Sequence, residues 1–537
     1  MIASNNINKM AKELVITIDS IFEGQSPSSN FAQEGQFLSS VAIDPEASNT
    51  DVATDLKPSG IIRPVAYEKF SDTILDQVPL WIITTPKDTT IYVYGNAGDL
   101  ITYDSDLANE TLLRGVATSK GNGAAYYNNY LYYVRNADIG RYGPLDDTPG
   151  FTDDFWTSTL GLAALTNTTY PTTRHSVEFP NHVMKSHVDN KLYFIDVHNG
   201  QGILSAIKTT KTTYQGDTDD GSAYNVLDFP FDFKPMCIES YGENLACGCS
   251  FGTSSTVNQG ASALFIWDTG VSVGGVYTFN RIVNIPDQIV TALRYQNGIL
   301  YGWSGNLSGG TRFWVYLGGD SIQTLKYIPD AIPPLPGAIE ADANRITWGG
   351  FTVYPIASAS VFAFGSKSDL FPRGLHNIAK TTVTASATNG IVTALKNAIQ
   401  SNKPHPNLII GSTDGTKTQL DKRSTTYQTS VFRSRPFEIG RPFTIDRIRI
   451  PFVQAIAVNM TVTPKLYFDN EADDSTGTII NNTHYPSSEK FVILGHEDFS
   501  NKTSGSNSFF LELTTSGTTL SAVGLPIEIE LTVEDKD

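Results

Sequence analysis

The stretch Ala124-Ala-Tyr-Tyr-Asn-Asn129-Tyr-Leu-Tyr joins two short apolar runs through an asparagine turn. The same pattern recurs along the chain, the last copy being weaker: Lys185–Tyr193, Ile238–Ala246, Ala292–Tyr301, Ile339–Trp348 and Pro406–Ile410. Asparagine tolerates the left-handed backbone conformation that a tight β-turn requires, which gives its recurrence a physical reason. The turn asparagines, at positions 129, 190, 244, 297, 344 and 407, lie 47 to 63 residues apart. The chain therefore carries a degenerate repeat of about fifty residues.

A repeat of this length fits one four-stranded β-sheet with its turns, which is the size of a propeller blade. Leu80–Thr85 and Ile91–Gly95 supply a further blade that lacks the asparagine. The pentapeptide Ile289–Leu293 recurs identically at Ile391–Leu395, and we interpret both copies as strands. We predict an all-β protein with a six- or seven-bladed β-propeller over residues 61–435. The alternative is another all-β fold in which asparagine turns recur by chance.

The residues on either side of the repeat have different patterns. Residues 1–60 are rich in Ser, Asn, Asp and Pro and show little periodicity after Ile18, which predicts an extended N-terminal arm lying over the propeller or a neighbour. After Arg435 five or six runs alternate cleanly between apolar and polar residues, among them Phe443–Phe452, Asn459–Phe468 and Pro526–Val533. This density of strands predicts a C-terminal β-sandwich over residues 436–537.

The charge balance limits the classes of partner. Charged residues are only 17% of the 537 residues, and the net charge is -17. Gripping a phosphate backbone needs clustered Lys and Arg, so we predict no sequence-specific binding of nucleic acid. A negative surface can still face nucleic acid that must slide past it.

The sequence also limits the cellular location. The N-terminus shows no continuous apolar run followed by a small-residue cleavage site, so we predict no signal peptide. The longest apolar stretch, Ile450–Val458, is far shorter than the ~20 residues that span a bilayer. We therefore expect synthesis in a cytoplasm and no insertion into a membrane.

The three cysteines, Cys237, Cys247 and Cys249, fall within 13 residues. An odd number in so short a stretch does not indicate a disulfide framework. Cys247-Gly-Cys249 also lacks the second ligand pair of a zinc site. We predict buried free thiols on neighbouring strands.

Acidic loops are the candidates for a metal site. The stretch Asp217-Thr-Asp219-Asp220-Gly places carboxylates at i and i+2 before a glycine, as in part of a calcium loop. The distal glutamate and the flanking helices of an EF-hand are missing. Asp217, Asp219 and Asp220 are therefore candidate calcium ligands, with a solvated turn as the alternative reading. Asp469–Asp474 is a second stretch of the same kind. No other cofactor is predicted.

The sequence carries no nucleotide-binding fingerprint, nucleophile elbow or zinc-protease motif. Propellers include sialidases and other glycosidases, which need a carboxylate pair or a tyrosine nucleophile. Ser412-Thr-Asp414-Gly-Thr is only a fragment of the sialidase box. Four tryptophans suit a blade core better than a sugar platform, namely Trp267, Trp303, Trp314 and Trp348. We predict that the protein is not an enzyme, and keep a propeller glycosidase as an alternative.

Taken as a whole, the chain resembles β-propeller structural proteins of tailed-bacteriophage virions, of the tail-nozzle and tail-hub kind. The resemblance lies in the following stretches: Gly24–Pro27, Gly35–Phe37, Ala42–Pro45, Ser59–Pro64, Gly121–Asn129, Asp138–Pro144 and Tyr427–Gly440. In such proteins an arm, a propeller and a terminal β domain are common companions. The family has no catalytic residues to carry over.

The resemblance implies a structural component of a phage tail that assembles as a homo-oligomeric ring with other tail or adaptor proteins. It also implies that DNA can pass through the ring and that the protein is located in the virion after synthesis in the bacterial cytoplasm. Three alternatives remain open: a receptor- or glycan-binding propeller at the tail tip, a propeller glycosidase and a capsid decoration protein.

Overall fold

The structure is a computed structural model. It describes residues 12–533 apart from the following positions: 22–23, 27–35, 47–61, 63–64, 71–76, 87–88, 106, 116–121, 162–163, 166–181, 199–200, 209–222, 252–260, 271–278, 307–309, 329–331, 343, 353–357, 366–373, 383–389, 400–405, 425–428, 454, 457–459, 469–477, 480–482, 485–489, 496–506 and 518–521.

The described chain is almost entirely β-structure, with one π-helical turn at Phe155–Thr159. The N-terminal part holds β1 (Lys12–Ile18), β2 (Gly24–Gln25), β3 (Gln36–Phe37), β4 (Ser39–Val41) and β5 (Ala66–Phe70).

Seven consecutive groups of strands follow, and the strands of each group pair antiparallel within one sheet. Sheet 1 contains β6 (Pro79–Thr84), β7 (Ile91–Gly95), β8 (Leu100–Tyr103) and β9 (Glu110–Arg114). Sheet 2 contains β10 (Ala124–Tyr127), β11 (Tyr130–Arg135), β12 (Asp138–Gly143) and β13 (Gly150–Thr152). Sheet 3 contains β14 (Met184–Ser186), β15 (Leu192–His198), β16 (Gln201–Ile207) and β17 (Ala223–Asp228). Sheet 4 contains β18 (Phe233–Tyr241), β19 (Asn244–Phe251), β20 (Ser262–Trp267) and β21 (Arg281–Ile285). Sheet 5 contains β22 (Ile289–Gln296), β23 (Ile299–Gly305), β24 (Thr311–Tyr316) and β25 (Gln323–Ile328).

Sheet 6 contains β26 (Ile339–Asp342), β27 (Arg345–Thr352), β28 (Ser358–Phe364) and β29 (Leu375–Lys380). Sheet 7 contains β30 (Ile391–Ala398), β31 (Asn407–Thr413) and β32 (Thr418–Ser424).

The C-terminal part holds nine further strands. They are β33 (Ser430–Arg433), β34 (Phe437–Glu438), β35 (Phe443–Pro451), β36 (Thr461–Phe468), β37 (Thr478–Ile479), β38 (Thr483–His484), β39 (Phe491–Gly495), β40 (Ser508–Ser516) and β41 (Ile527–Val533).

Sheets 1 to 7 form a closed cycle of contacts. The first strand of each sheet contacts the first strand of the next, in the order β6, β10, β14, β18, β22, β26, β30 and back to β6. Each of the seven junctions between neighbouring sheets also has its own cluster of buried hydrophobic side chains. A single four-stranded sheet cannot cover both of its faces, and in this cycle each sheet covers its neighbours. The fold is therefore all-β and propeller-like, as the repeat predicts.

The last sheet of the cycle is completed by the N-terminal strand β5. Sheet 7 has the order β30-β31-β32-β5, and β5 pairs antiparallel with β32 from Phe70↔Leu420 to Ala66↔Ser424. Phe70 is buried in the cluster between sheets 7 and 1. The two ends of the cycle are thus joined by hydrogen bonds between segments that are distant in sequence.

The turn asparagines lie where the repeat places them, at the hairpin between the first and second strands of successive sheets. Asn129, Asn190 and Asn297 adopt positive φ angles of 73°, 61° and 50°. At the fourth-sheet hairpin the left-handed position is taken by Gly242 (φ 60°), two residues before Asn244. Both copies of the repeated pentapeptide are first strands with a bulge at the same residue, Thr291 in β22 and Thr393 in β30. The strand prediction for both copies is confirmed.

Two sheets outside the cycle share one hydrophobic core. The terminal sheet has the order β1-β41-β35-β39, and the second sheet has the order β37-β36-β40-β33-β4. Alternate residues of both sheets, such as Ile529 of β41 and Leu511 of β40, are buried in the same cluster. The strand β1 lies inside the stretch read from sequence as an extended arm, and it pairs with β41 along its whole length.

The N-terminal residues 36–46 contact both parts of the molecule. β4 pairs with β33 of the second sheet, and the amide of Ile43 donates to the carbonyl oxygen of Asn377 in β29 of sheet 6 (3.0 Å). Val41 and Ala42 are buried in the cluster between sheets 6 and 7, whereas Phe37 and Ile43 are buried in the C-terminal core. This segment therefore connects the cycle to the C-terminal sheets.

Candidate functional site

Two half-buried side chains lie near the centre of the cycle. Trp81 of β6 packs against the cluster between sheets 1 and 2 and against the cluster between sheets 3 and 4. Leu335, in the connection from sheet 5 to sheet 6, packs against the cluster between sheets 1 and 2 and the one between sheets 6 and 7. Only a side chain near the axis can reach junctions that are not adjacent. Trp81 also donates a hydrogen bond from Nε1 to the Asn122 carbonyl oxygen (2.9 Å).

Gly337 allows the connection that carries Leu335 to lie against the first strands. A Cβ atom at Gly337 would collide with the backbone oxygen of Leu80 and lie 3.3 Å from that of Thr393. The backbone oxygen of Gly337 accepts a hydrogen bond from the amide of Leu395 (2.9 Å), so the segment cannot easily move away.

We expect Gly337→Ala to lower the free energy of unfolding by about 1–3 kcal/mol, because overpacking against backbone atoms forces a shift. The matched control is Gly150→Ala in β13, where nothing lies within 4 Å of the added Cβ. Thermal unfolding followed by fluorescence measures both. Equal stability of the two variants would contradict a tightly packed centre.

Charged side chains of alternating sign lie near the hairpin ends of five successive first strands. The residues are Lys185, Glu239, Arg294, Glu340 and Lys396. Lys185 Nζ lies 2.5 Å from Glu239 Oε1, and Lys396 Nζ lies 3.2 Å from Glu340 Oε2. Both glutamates are largely buried, with 7% and 9% of the side chain exposed. These carboxylates neutralise lysines across sheet junctions.

The hairpins that follow these charged residues, between the first and second strands, are also joined across sheet junctions. His187 Nδ1 lies 2.8 Å from Ser240 Oγ, and its Nε2 lies 3.2 Å from the carbonyl oxygen of Glu243. Burial lowers the pKa of His187, which favours the neutral ring. Asn297 Nδ2 donates to Asn344 Oδ1 (2.9 Å) across the junction between sheets 5 and 6. This end of the cycle is thus a set of polar contacts that fixes one sheet to the next.

The outer rim of the cycle, by contrast, exposes apolar side chains. Four of its outermost strands carry one: Leu112 of β9 (44% exposed), Phe151 of β13 (36%), Ile282 of β21 (51%) and Tyr327 of β25 (38%). An exposed apolar side chain by itself is ordinary. Their recurrence on outer strands, together with exposed Leu317 in the β24–β25 connection, makes the rim the candidate contact surface.

An ion pair and a hydrogen bond of arginine side chains cross two junctions at the rim. Arg114 of β9 pairs with Asp153 just after β13, and its guanidinium lies 5.4 Å from the ring centroid of Phe151. Arg281 of β21 donates to the carbonyl oxygen of Gly319 in the next sheet (2.7 Å). Arg114 thus bridges the outer parts of sheets 1 and 2, and Arg281 bridges those of sheets 4 and 5.

The predicted calcium ligands Asp217, Asp219 and Asp220 lie outside the described residues, as does the stretch 469–474. Within the part of the chain that the structure describes, no group of three or more His, Cys, Asp or Glu side chains could hold a metal ion. In the same part, no helix is long and apolar enough to cross a membrane.

The cysteine prediction is confirmed. Cys237 lies on β18 and Cys247 and Cys249 lie on the neighbouring β19; all three are buried and free. Burial raises the pKa of each thiol, so they stay protonated and act as small apolar side chains. The four tryptophans read as blade core are buried as well.

Sequence reasoning missed the alternating charges and the axial side chains. A signal for the charges exists, because a charged residue stands three to five positions before four turn asparagines: Lys185, Glu239, Arg294 and Glu340. No such signal marks Trp81 or Leu335, since neither occupies a repeated position.

Comparison with known proteins adds little. No family model and no curated protein matches this chain. Among solved structures, the computationally designed Ika8 protein is similar at 12% identity, covering 66% of this chain and 99% of that one, with a TM-score of 0.36. The Pan2 WD40 domain of Neurospora crassa is similar at 7% identity, covering 67% and 95%, with a TM-score of 0.39. The fold assignment rests on the sheet order and contacts described above.

Proposed function

We propose that this chain is a non-enzymatic structural protein of a tailed-bacteriophage virion, of the tail-nozzle or tail-hub kind. In this proposal it is a seven-bladed β-propeller, whose blades are sheets 1 to 7, followed by a C-terminal β-sandwich. It is made in the bacterial cytoplasm and assembles as a symmetric homo-oligomeric ring with other tail or adaptor proteins.

The observation that carries the proposal is the contrast between the centre and the rim. Trp81 and Leu335 lie near the axis, and the carboxylates Glu239 and Glu340 on the first strands bind lysines. A propeller glycosidase would instead need a carboxylate pair that is free to act on a substrate. The apolar side chains that a partner could cover lie on the outer strands. This distribution supports contact at the rim as the role of the protein.

The net charge supports a ring through which DNA moves. Each copy carries -17, so a ring of copies carries a multiple of this value before counterions. A lumen of that sign repels phosphates and lets DNA pass without adhesion. An inner wall of the assembled ring without carboxylates would remove this part of the proposal.

Mass photometry of the purified full chain, alone and then with tail components, tests the ring. We expect a discrete oligomer that Leu112→Asp and Ile282→Asp shift to smaller species, because each buries a charge in the rim contact. The control is Val188→Asp, whose side chain is 70% exposed in the β14–β15 hairpin and lies away from the rim. A monomer in every mixture, or a ring that both rim variants leave intact, would contradict the proposal.

A second candidate, binding of a glycan at a tail tip, is favoured by one feature of the rim. The rings of Tyr142 and Phe151 lie 4.5 Å apart, and Phe151 is exposed beside Arg114 and Asp153. An aromatic surface next to polar groups is what a sugar would need. A glycan array probed with the wild type and with Phe151→Ala distinguishes this candidate, since only a glycan-binding rim gives signals that the variant loses.

A further inference from the structure

The outer face of the terminal sheet is exposed and patterned. Along β41 and β35 the inward residues enter the C-terminal core, and the outward residues are charged or polar. Asp446 of β35 is one of them and accepts a hydrogen bond from Thr532 Oγ1 (2.7 Å). The outermost strands carry apolar residues on the same face: Val15 of β1 is 57% exposed, and Phe491 and Ile493 of β39 are 38% and 54% exposed. Large apolar side chains on both edge strands of one face suggest that something covers it.

The charges on this face form two adjacent stripes. β41 presents Glu528 and Glu530, and β35 presents Arg447 and Arg449. Arg449 Nη1 lies 3.0 Å from Glu528 Oε2, and Arg447 pairs with Glu530 in the same way. The guanidinium of Arg449 also lies 4.3 Å from the ring centroid of Phe491. From β1 to β39 the face therefore carries Val15 between the polar residues Glu13 and Thr17, then an acidic stripe, a basic stripe and an apolar edge.

We infer that this face binds the same face of a second copy of the chain, through a two-fold axis that runs parallel to the strands between β41 and β35. Rotation about this axis places the acidic β41 of one copy over the basic β35 of the other. It also places β1 over β39. By the strand registers, Thr17 then lies over Ile493 and Val15 lies over Gly495, two residues along the strand from Ile493. The pattern is complementary to itself, as a two-fold contact requires.

The other face-to-face arrangement is excluded by charge. A two-fold axis in the interface but perpendicular to the strands would lay β41 over β41 and β35 over β35. Glutamates would then face glutamates and arginines would face arginines, which costs free energy where the groups lose water. The order of the stripes thus selects one orientation.

The size of the face sets the strength of the contact. Four strands at ~4.8 Å and about seven residues at ~3.4 Å give an area of roughly 450 Å² per copy. The total of roughly 900 Å² is below that of stable dimers, so the contact is weak and needs concentrated protein or a second interface. This sheet contact uses a different surface and a different symmetry from the proposed ring. The inference therefore does not depend on the ring.

The test is sedimentation velocity of the full chain over a range of concentrations. We expect a dimerising species whose association is weakened at least tenfold by Ile493→Asp and unchanged by the exposed control Val188→Asp. The rim variants Leu112→Asp and Ile282→Asp leave this contact intact, so failure of the ring and failure of the sheet contact give different results.

A charge-swap variant makes the test specific. Glu528→Arg and Glu530→Arg combined with Arg447→Glu and Arg449→Glu preserve the ion pairs within the chain and the net charge. The swapped protein keeps its unfolding temperature and dimerises as the wild type does. A cross-link distinguishes the two arrangements, because only the inferred axis lays β1 over β39. A copy with Thr17→Cys and a copy with Ile493→Cys should then form a disulfide-linked mixed dimer, whereas Thr17→Cys alone should not link to itself. Disulfide-linked dimers of Thr17→Cys alone, or dimers that Ile493→Asp does not weaken, would overturn the inference.

Discussion

Replacement of Arg345 by methionine is expected to lower the free energy of unfolding by about 3–5 kcal/mol, because it leaves buried carboxylates without their cation. Arg345 of β27 is 4% exposed and binds Asp44 through both terminal nitrogens (3.1 and 3.2 Å). Its Nη1 also lies 3.6 Å from Glu46 Oε2. Burial alone would lower the pKa of Arg345, but the two carboxylates raise it, so the guanidinium stays charged.

The effect should appear first as release of the N-terminal segment. Asp44 and Glu46 belong to residues 36–46, which join the cycle to the C-terminal sheets, so limited proteolysis of Arg345→Met should cut there before global unfolding. Chemical denaturation measures the total loss. The control is Arg447→Met, whose exposed ion pair with Glu530 should contribute under about 1 kcal/mol. Similar losses in the two variants would show that Arg345 does not hold the segment.

We expect acid to lower the free energy of unfolding because His376 is buried as a neutral ring. Burial, reinforced by the charge of Arg345, lowers the pKa of His376 from 6.5 to about 3. Below pH 6.5 the unfolded chain therefore binds a proton that the folded chain does not. The contribution of neutral His376 to the free energy of unfolding is fully present above pH 6.5 and is lost as the pH falls towards 3. At pH 4 the proton bound by the unfolded chain lowers the free energy of unfolding by about 3 kcal/mol.

The measurement is the unfolding temperature of wild type and His376→Phe between pH 7.5 and pH 4. Phenylalanine keeps an aromatic ring beside Phe37, whose centroid lies 5.6 Å from that of His376. The variant should lose less stability on acidification than the wild type. His187, whose pKa is also lowered, acts in the same direction and is common to both proteins, so the difference isolates His376. Parallel pH profiles would contradict the assignment.

Much of the cycle could be predicted from the sequence because its information is local. A turn that needs a left-handed residue selects Asn or Gly, and the period-two pattern on either side marks the strands. Asn129, Asn190 and Asn297 give three of the hairpins in this way. The pentapeptide shared by β22 and β30 occupies the same place in two sheets, bulge included.

The pairing of distant strands could not be predicted in the same way. Alternation states which side of a strand is buried, but not which strand lies beside it. Nothing local in Ala66–Phe70 indicates β32 as its partner, and nothing in Lys12–Ile18 indicates β41. The rim and the terminal face were missed for a related reason, since exposure of Ile282 or Ile493 depends on which neighbours cover the strand.

Closure of sheet 7 by β5 has a consequence for synthesis on the ribosome. β5 ends at Phe70 and its partner β32 ends at Ser424, so the early strand has no mate until 354 more residues have been translated. At 5–20 residues per second this wait is roughly 20–70 s. During that time the hydrogen-bonding edge of β5 is unpaired, and the face of sheet 1 that packs on sheet 7 is uncovered. Both are open to other nascent chains. A cell making many copies at once therefore faces its greatest aggregation hazard before the protein is finished, not after its release.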